Sequence, residues 1–322
     1  MPLPTGEVIG LMVDNLKKRN TVFPISRKKA ADWARKLDIP EGGETVLYTG
    51  SMYQLLPYMI AAVNRMERIE DSFLGKFVHT GRVFNRLINV SAFIAKPSRA
   101  DVKRYARIIG NIALLLKQAG VEFGYLYRDE LYAGALAYDM GVDAAFREHA
   151  LRVHEMLKEH GVRSLITIDP HTTNVLRSVY PTVIDDYDIE VRSYLEVLAS
   201  SGIRPLRRVE EEITVHDSCV YARYEGVIEE PRELLRRAGY RIREPEDTRE
   251  LTHCCGGPIE SIFPKVANRI GEKRARQLRE ADGDAVATMC PICMATLRKA
   301  SNGALKIDDI SSFLMRAYCD GE

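Results

Sequence analysis

Residues 161–181 read GVRSLITIDPHTTNVLRSVYP and residues 283–300 read GDAVATMCPICMATLRKA. Both run from a glycine through a short apolar strand into an x-Pro-x-x turn, and both then place Leu-Arg on a following helix. Superposing the turns sets Asp169 against Cys290 and Thr172 against Cys293. Similarity recurring within one chain is the mark of an internal duplication. Upstream, YRDELYAGA stands where LTHCCGGPI stands, so Leu131 and Tyr132 face Cys254 and Cys255. Further upstream, VLYTGSMYQ matches ITVHDSCVYAR and sets Ser51 against Cys219. The first half carries an insertion over roughly residues 67–100, which makes this last match the weakest.

The elements around these turns alternate. Val102, Tyr105, Ile109, Ile112 and Leu116 recur at spacings of three and four and predict an amphipathic helix. Gly120 stops it, and VEFGYLY reads as a strand. Phe146, Ala150, Val153 and Leu157 mark the next helix, which ends near Gly161, and SLITI is a strand. In the second half PRELLRRA (231–238) is a helix opened by proline and closed before Gly239. YRIRE is a strand, Phe263, Val266, Ala267 and Ile270 mark a helix face, and AVATM is a strand running into Cys290. Alternating strands and helices give an α/β fold class: two tandem βα modules with mainly parallel sheets, pseudo-duplicated, the N-terminal copy degenerate. The modules are expected at 1–205 and 206–322.

The 322 residues are 46% hydrophobic and 28% charged with a formal net charge of +1, a profile of a soluble globular protein without a strong field for nucleic acid or an anionic membrane. The opening MPLPTGEVIGLMVDNLKKRN lacks the charged and apolar blocks of a signal peptide. No apolar run reaches the roughly 18–20 residues that cross a bilayer. The expected location is cytoplasmic, with any membrane association made through partner proteins.

Six cysteines are present, Cys219, Cys254, Cys255, Cys290, Cys293 and Cys319, and none precedes residue 219. Such clustering points to metal or redox chemistry rather than to a disulfide scaffold. Thirty-four residues separate Cys219 from Cys254, and another thirty-four separate Cys255 from Cys290. Loops that follow parallel strands converge on one sheet edge, so three loops can bring five thiolates together. Pro291 shapes the Cys-x-x-Cys into a helix start, whose dipole favours negative charge. Gly256 and Gly257 permit close backbone approach and N–H contacts to sulfur. Soft thiolates suit iron–sulfur clusters, zinc or Cu(I). Four cysteines complete a zinc site and leave the fifth spare. Cys319 reads as a buried or terminal thiol.

HDSCVYAR (216–223), HCCGG (253–257) and MCPICMATL (289–297) together resemble the CCG-domain, or cysteine-rich domain, family. Its members include the B-type component of heterodisulfide reductase and the iron–sulfur subunits of glycolate, lactate and glycerol-3-phosphate oxidoreductases. The resemblance implies that Cys219, Cys254, Cys255, Cys290 and Cys293 are ligands of one 4Fe–4S cluster, cubane or non-cubane, with Gly256 beside it and zinc the less favoured occupant. It implies an oxidoreductase subunit of a heterodisulfide-reductase-like complex, passing electrons to or reducing a disulfide. The alternatives are a pure electron-transfer subunit of a membrane or flavin dehydrogenase complex of glycolate, lactate or succinate type, and a zinc-stabilised scaffold. The implied partners are a ferredoxin-like iron–sulfur protein, resembling the reductase's C-type component, a flavin or membrane subunit, and a small disulfide or thiol.

The chain departs from the family at Ser51, Leu131, Tyr132, Asp169 and Thr172, so the first module should not hold a second such cluster. It also lacks the Cys-x-x-Cys-x-x-Cys-x-x-x-Cys-Pro run of ferredoxin-type clusters. His216 and His253 flank cluster cysteines and are candidate catalytic groups, as sulfur hydrogen-bond donors or proton carriers. Asp217 and Arg223 read as cap or surface ion-pair residues. Asp169, Pro170 and His171 read as a retained turn. Tyr125, Tyr127 and Tyr132 read as core.

Overall fold

The computed structural model describes residues 5–23, 25–70, 96–260 and 262–319. Most of the insertion expected over 67–100 therefore lies outside the described residues. Two parallel sheets organise the chain. The first joins β1 (Thr45–Tyr48), β2 (Ser164–Thr167) and β3 (Glu190–Ser193) in the order 1-2-3. The second joins β4 (Glu212–His216), β5 (Arg241–Arg243), β6 (Ala285–Thr288) and β7 (Ile307–Asp309) in the order 5-4-6-7. Parallel strands need long crossovers, and helices fill them. In the first half these are α1 (Met52–Glu70), α2 (Arg99–Gln118), α3 (Asp143–Glu159) and α4 (Pro170–Asn174), with α5 (Tyr194–Ser200) after β3. In the second half they are α6 (Glu229–Arg237), α7 (Pro264–Glu280) and α8 (Pro291–Ala300), with α9 (Ile310–Tyr318) after β7.

The duplication is visible in detail. Asp169 and Cys290 both cap a helix in extended backbone with proline at the first helical position, after β2 and β6 respectively. Strands β1, β2 and β3 correspond to β4, β6 and β7. Among the described residues, the first sheet has no strand matching β5. VEFGYLY, expected as a strand, makes only isolated parallel bridges, Gly124 to Val46 and Tyr125 to Glu41. A Cβ on Gly124 would stand 1.6 Å from the Gly42 carbonyl oxygen, so backbone crosses backbone here and the segment cannot lie flat as a ladder. Strands β3 and β7 have no counterpart among the expected elements. The buried face of α7 is Ala267, Gly271, Arg274, Ala275 and Leu278, whereas Phe263 and Val266, expected on it, are exposed.

The two halves pack with approximate two-fold reciprocity on one continuous apolar core. α1 meets α8 while α4 meets the π-helical turn Tyr221–Glu225, and α2 meets α9 while α6 meets α5. Two tyrosines at equivalent positions cross the boundary. The Tyr53 hydroxyl donates to Asp309 Oδ2 at 2.6 Å, and Tyr221 bonds Ser193 Oγ at 2.8 Å and Thr173 Oγ1 at 3.2 Å. Asp309 and Ser193 are the N-caps of the helices after β7 and β3, so each tyrosine holds the cap of the opposite half. Tyr53→Phe removes one donor from a buried carboxylate. It should lower the unfolding free energy by about 1.5–3 kcal/mol, read as a lower urea midpoint at unchanged slope.

Candidate metal centre

The three cysteine-bearing loops leave the second sheet on one edge. Cys219 follows β4, Cys290 and Cys293 follow β6, and Cys254 and Cys255 follow a single turn at Arg249–Leu251. The Cys219 loop and the Cys254–Cys255 loop are tied together by Asp217. Its carboxylate accepts both terminal nitrogens of Arg232 at 2.7 and 2.8 Å and the Arg249 backbone N–H at 2.8 Å. Arg232 and Asp217 are both buried, so the expected surface role of Asp217 is corrected: it is a buried ion pair. Arg223 donates to the Glu250 and Thr252 carbonyls, tying the Cys219 turn to the segment before Cys254.

All five predicted cysteines meet. Thiol contacts run without a break from Cys219 to Cys254, Cys255, Cys293 and Cys290. Cys255, Cys290 and Cys293 are buried, and Cys219 and Cys254 are half-buried, so the string opens to the surface at one end. The Gly256 N–H donates to Cys254 Sγ at 3.3 Å and the Gly257 N–H to Cys255 Sγ at 3.4 Å. Gly256 has φ +84, and a Cβ on Gly257 would lie 2.2 Å from Ile292 Cγ2, so both positions require glycine. Cys254 is held far below the usual thiol range, first by its bond with Cys219 and then by Cys255 and the Gly256 N–H. Burial pushes Cys290 up, but Cys293 and His171 outweigh it and bring this thiol well down. Cys319 lies apart in sequence and half-buried against the core after α9.

His216 and His253 differ. His253 is half-exposed, with Nδ1 3.0 Å from the Cys254 carbonyl oxygen. His216 is buried at the end of β4, and burial, helped by Arg274, lowers its pKa to about 3. A ring nitrogen of His216 and the sulfurs of Cys255 and Cys293 lie within 4.8 Å of one another. Its Nδ1 accepts from Arg274 Nε at 3.1 Å, and its Nε2 is buried without a partner.

His171 is a residue that the sequence left in a retained turn. The turn is present, but the ring reaches Cys290 from the cysteine-free half, and its Nδ1 lies 2.8 Å from Asp139 Oδ2. Burial opposes its charge, yet Asp139 and Cys290 together raise its pKa well above the ordinary value. The available signal was the duplication itself, which set Asp-Pro-His-Thr on the corner occupied by Cys-Pro-Ile-Cys.

The matching positions of the first half hold no thiol. Ser51, Leu131, Tyr132, Asp169 and Thr172 are buried: Tyr48 Oη donates to the Leu131 carbonyl at 2.7 Å, and the Thr172 N–H donates to Asp169 Oδ1 at 3.0 Å, while Asp169 Oδ2 and Thr172 Oγ1 have no partner among the described residues. Beside them Glu130 accepts the Thr49 N–H at 2.9 Å. Tyr125 and Tyr132 are core, as expected, and Tyr127 is partly buried.

The donor set fits an iron–sulfur group better than a closed tetrahedral site. Five sulfurs are gathered where zinc needs four, two N–H groups already point at sulfur, and one buried ring nitrogen has no protein partner.

Residues 213–298 match the family model described as the cysteine-rich domain, CCG. The chain is 29% identical over 232 residues to the EtfAB:quinone oxidoreductase of Syntrophomonas wolfei, covering 66% of this chain and 32% of that protein. It is 30% identical over 217 residues to the probable iron-sulfur-binding oxidoreductase FadF of Bacillus subtilis, covering 65% and 30%. It is 27% identical over 207 residues to the D component of the dihydromethanophenazine:CoB–CoM heterodisulfide reductase of Methanosarcina mazei, covering 61% and 50%. The chain thus spans between about a third and a half of the length of these relatives. Among the described residues, no helix is long and apolar enough to cross a membrane.

The buried carboxyls of the first half make a pH prediction. Burial raises Glu130 to about 8. A carboxyl whose folded pKa lies above its unfolded value of about 4.3 stabilises the fold at low pH, and loses that contribution as pH rises to the folded value. The urea midpoint should therefore fall between about pH 5 and 8, and Glu130→Gln should flatten that fall. Parallel slopes in the two proteins would contradict the assignment.

Proposed function

Starting from a chain whose residues 213–298 are a CCG cysteine-rich domain, we propose that its five cysteines hold one iron–sulfur cluster in an electron-transferring subunit of a heterodisulfide-reductase-like complex. The observation that carries this reading is the unbroken string of five thiols on three loops, buried at one end and half-exposed at the other. Cys219, Cys254, Cys255, Cys290 and Cys293 would hold the group, which supplies a one-electron centre when bound. The module boundary near residue 205 belongs to the same reading.

The chain's own residues divide the work by exposure. Cys219 and Cys254 mark the side from which a partner's electrons or a substrate sulfur can approach. His253 stands next to Cys254 and is half-exposed, so it can hold a proton at that mouth. His216 has no such role, since its Nδ1 is engaged by an arginine and its ring is sealed from water. A small disulfide is the favoured substrate class because thiol chemistry matches a half-exposed cysteine edge. The partners of this reading are a ferredoxin-like donor and a flavin or membrane subunit. A pure relay role is the second reading, favoured by relatives such as the probable membrane-anchored ferredoxin of Chromohalobacter salexigens, 31% identical over 229 residues and 34% of that protein.

Anaerobic purification with iron, sulfide and zinc analysis, followed by electron paramagnetic resonance, tests the proposal. About four irons and matching sulfide per chain are expected. A signal that changes when a small thiol is added supports disulfide chemistry, and an unchanged signal supports the relay. Stoichiometric zinc without iron overturns the cluster.

A further inference from the structure

Two arginines are completely buried in the second half, and they are treated differently. Arg232 meets carboxylates, Asp217 at 2.7 Å and Glu244 at 2.7 Å. Arg274, in the middle of α7, meets only neutral acceptors. Its Nε donates to His216 Nδ1 at 3.1 Å. One terminal nitrogen donates to the Asp247 carbonyl at 2.7 Å and to Gln277 Oε1 at 3.1 Å, and the other to Thr252 Oγ1 at 3.3 Å. A buried cation costs several kcal/mol unless a negative charge compensates it. The anionic groups that act on Arg274 are Asp217, Asp247, Cys293 and Cys255. Asp217 is already committed to Arg232, and the Asp247 carboxylate accepts from Gln277. Both carboxylates offset part of the cost without touching the guanidinium, and the further negative charge that faces it is that of the cysteine site.

The hydrogen bond to His216 fixes a second feature. Guanidinium has no acceptor, so Nδ1 of His216 must carry its lone pair toward Arg274. A neutral imidazole in that position has its proton on Nε2, and Nε2 is a buried donor without a protein acceptor. The ring lies against the sulfurs of Cys255 and Cys293. The acceptor that Nε2–H lacks is one that the occupant of the site would bring.

We propose that Arg274 is the built-in counter-ion of the five-cysteine site and acts through His216, fixing the tautomer that presents Nε2–H to the bound anionic cluster. This rests on the reading that the five cysteines hold an iron–sulfur cluster. Arg274 is a positioning residue, not a catalytic one. Positive charge and a hydrogen bond both favour the more negative, reduced state of the centre, so together they raise its reduction potential.

The test compares the full chain with Arg274→Met, Arg274→Lys and His216→Gln, each assayed for iron and sulfide, for midpoint potential by redox titration followed by electron paramagnetic resonance, and for urea midpoint with and without cluster. Arg274→Met should retain iron and titrate at a more negative potential, by at least the tenfold change in reduced-to-oxidised ratio that corresponds to about 59 mV for one electron. Arg274→Lys should recover most of that shift, because it restores the charge. His216→Gln should fall between the two, and it stands alone as the test should the Met variant fail to fold. Arg274→Met should also destabilise the cluster-loaded protein more than the cluster-free one. An unchanged potential with iron retained, or equal destabilisation of both forms, overturns the counter-ion role while leaving the cluster intact. A wild-type chain without iron overturns the cluster reading itself.

Discussion

One buried carboxylate organises the cysteine edge. Asp217 lies two residues before Cys219, and its oxygens are taken by Arg232 on α6 and by the backbone N–H of Arg249, five residues before Cys254. Two cysteine loops separated by thirty-four residues are thereby fixed to each other and to a helix. Such a pair is strongly destabilising to break, by about 3–5 kcal/mol for removal of one partner. The worth of the arrangement is positional: without it the loops would sample many geometries, and sulfurs at several separations could not be held ready together. The third loop needs no such brace, because Cys290 and Cys293 ride on a helix start whose backbone is set by Pro291.

What the sequence made legible follows from where the information is local. The cap and proline after each apolar strand are adjacent residues, so the corner shared by Asp169 and Cys290 was readable, as were the helices over 99–118 and 143–159. The five cysteines were readable because residue type and spacing suffice to name a thiolate set. Contacts across the two-fold boundary were not. His171 reaches Cys290 over more than a hundred residues of chain, and nothing in its own neighbourhood distinguishes it from a turn histidine. Arg274 sits among charged residues on a helix that reads as amphipathic, and only burial separates it from Arg276 or Arg279. VEFGYLY failed as a strand for a different reason: its glycine serves a backbone crossing, which composition cannot reveal.

The cysteine-free half braces the cysteine-bearing one. The caps of two helices are held by tyrosines from the opposite half, and α1, α2, α4 and α5 provide the surfaces on which the second half packs. Loss of the thiols from a duplicated module does not release it from this role. Ser51 takes a left-handed φ of +58 that Cys219 does not share. The reciprocity nevertheless holds Asp169 and Cys290 in the same extended cap, so that position keeps its geometry while its chemistry changes. That is why His171 still arrives at the right corner.

The charge on that corner decides whether such a neighbour is tolerated. Asp169 interacts directly with the field of Cys290, and a second anion beside a thiolate site would repel it. Burial raises Asp169 to about 6 and Glu130 to about 8, so at neutral pH Glu130 is mostly protonated and adds little negative charge, while Asp169 loses its charge only as pH falls through about 6. Two residues along the same turn, His171 held by Asp139 brings positive character to the same sulfur. The degenerate half thus presents the surviving site with one carboxylate, one largely neutral carboxyl and a histidine. The second half adds a buried guanidinium without a carboxylate partner. An anionic centre among five cysteines adds to the partial compensation that Asp217 and Asp247 give Arg274, which a set of five neutral thiols would not, in a medium where a poorly compensated cation is expensive.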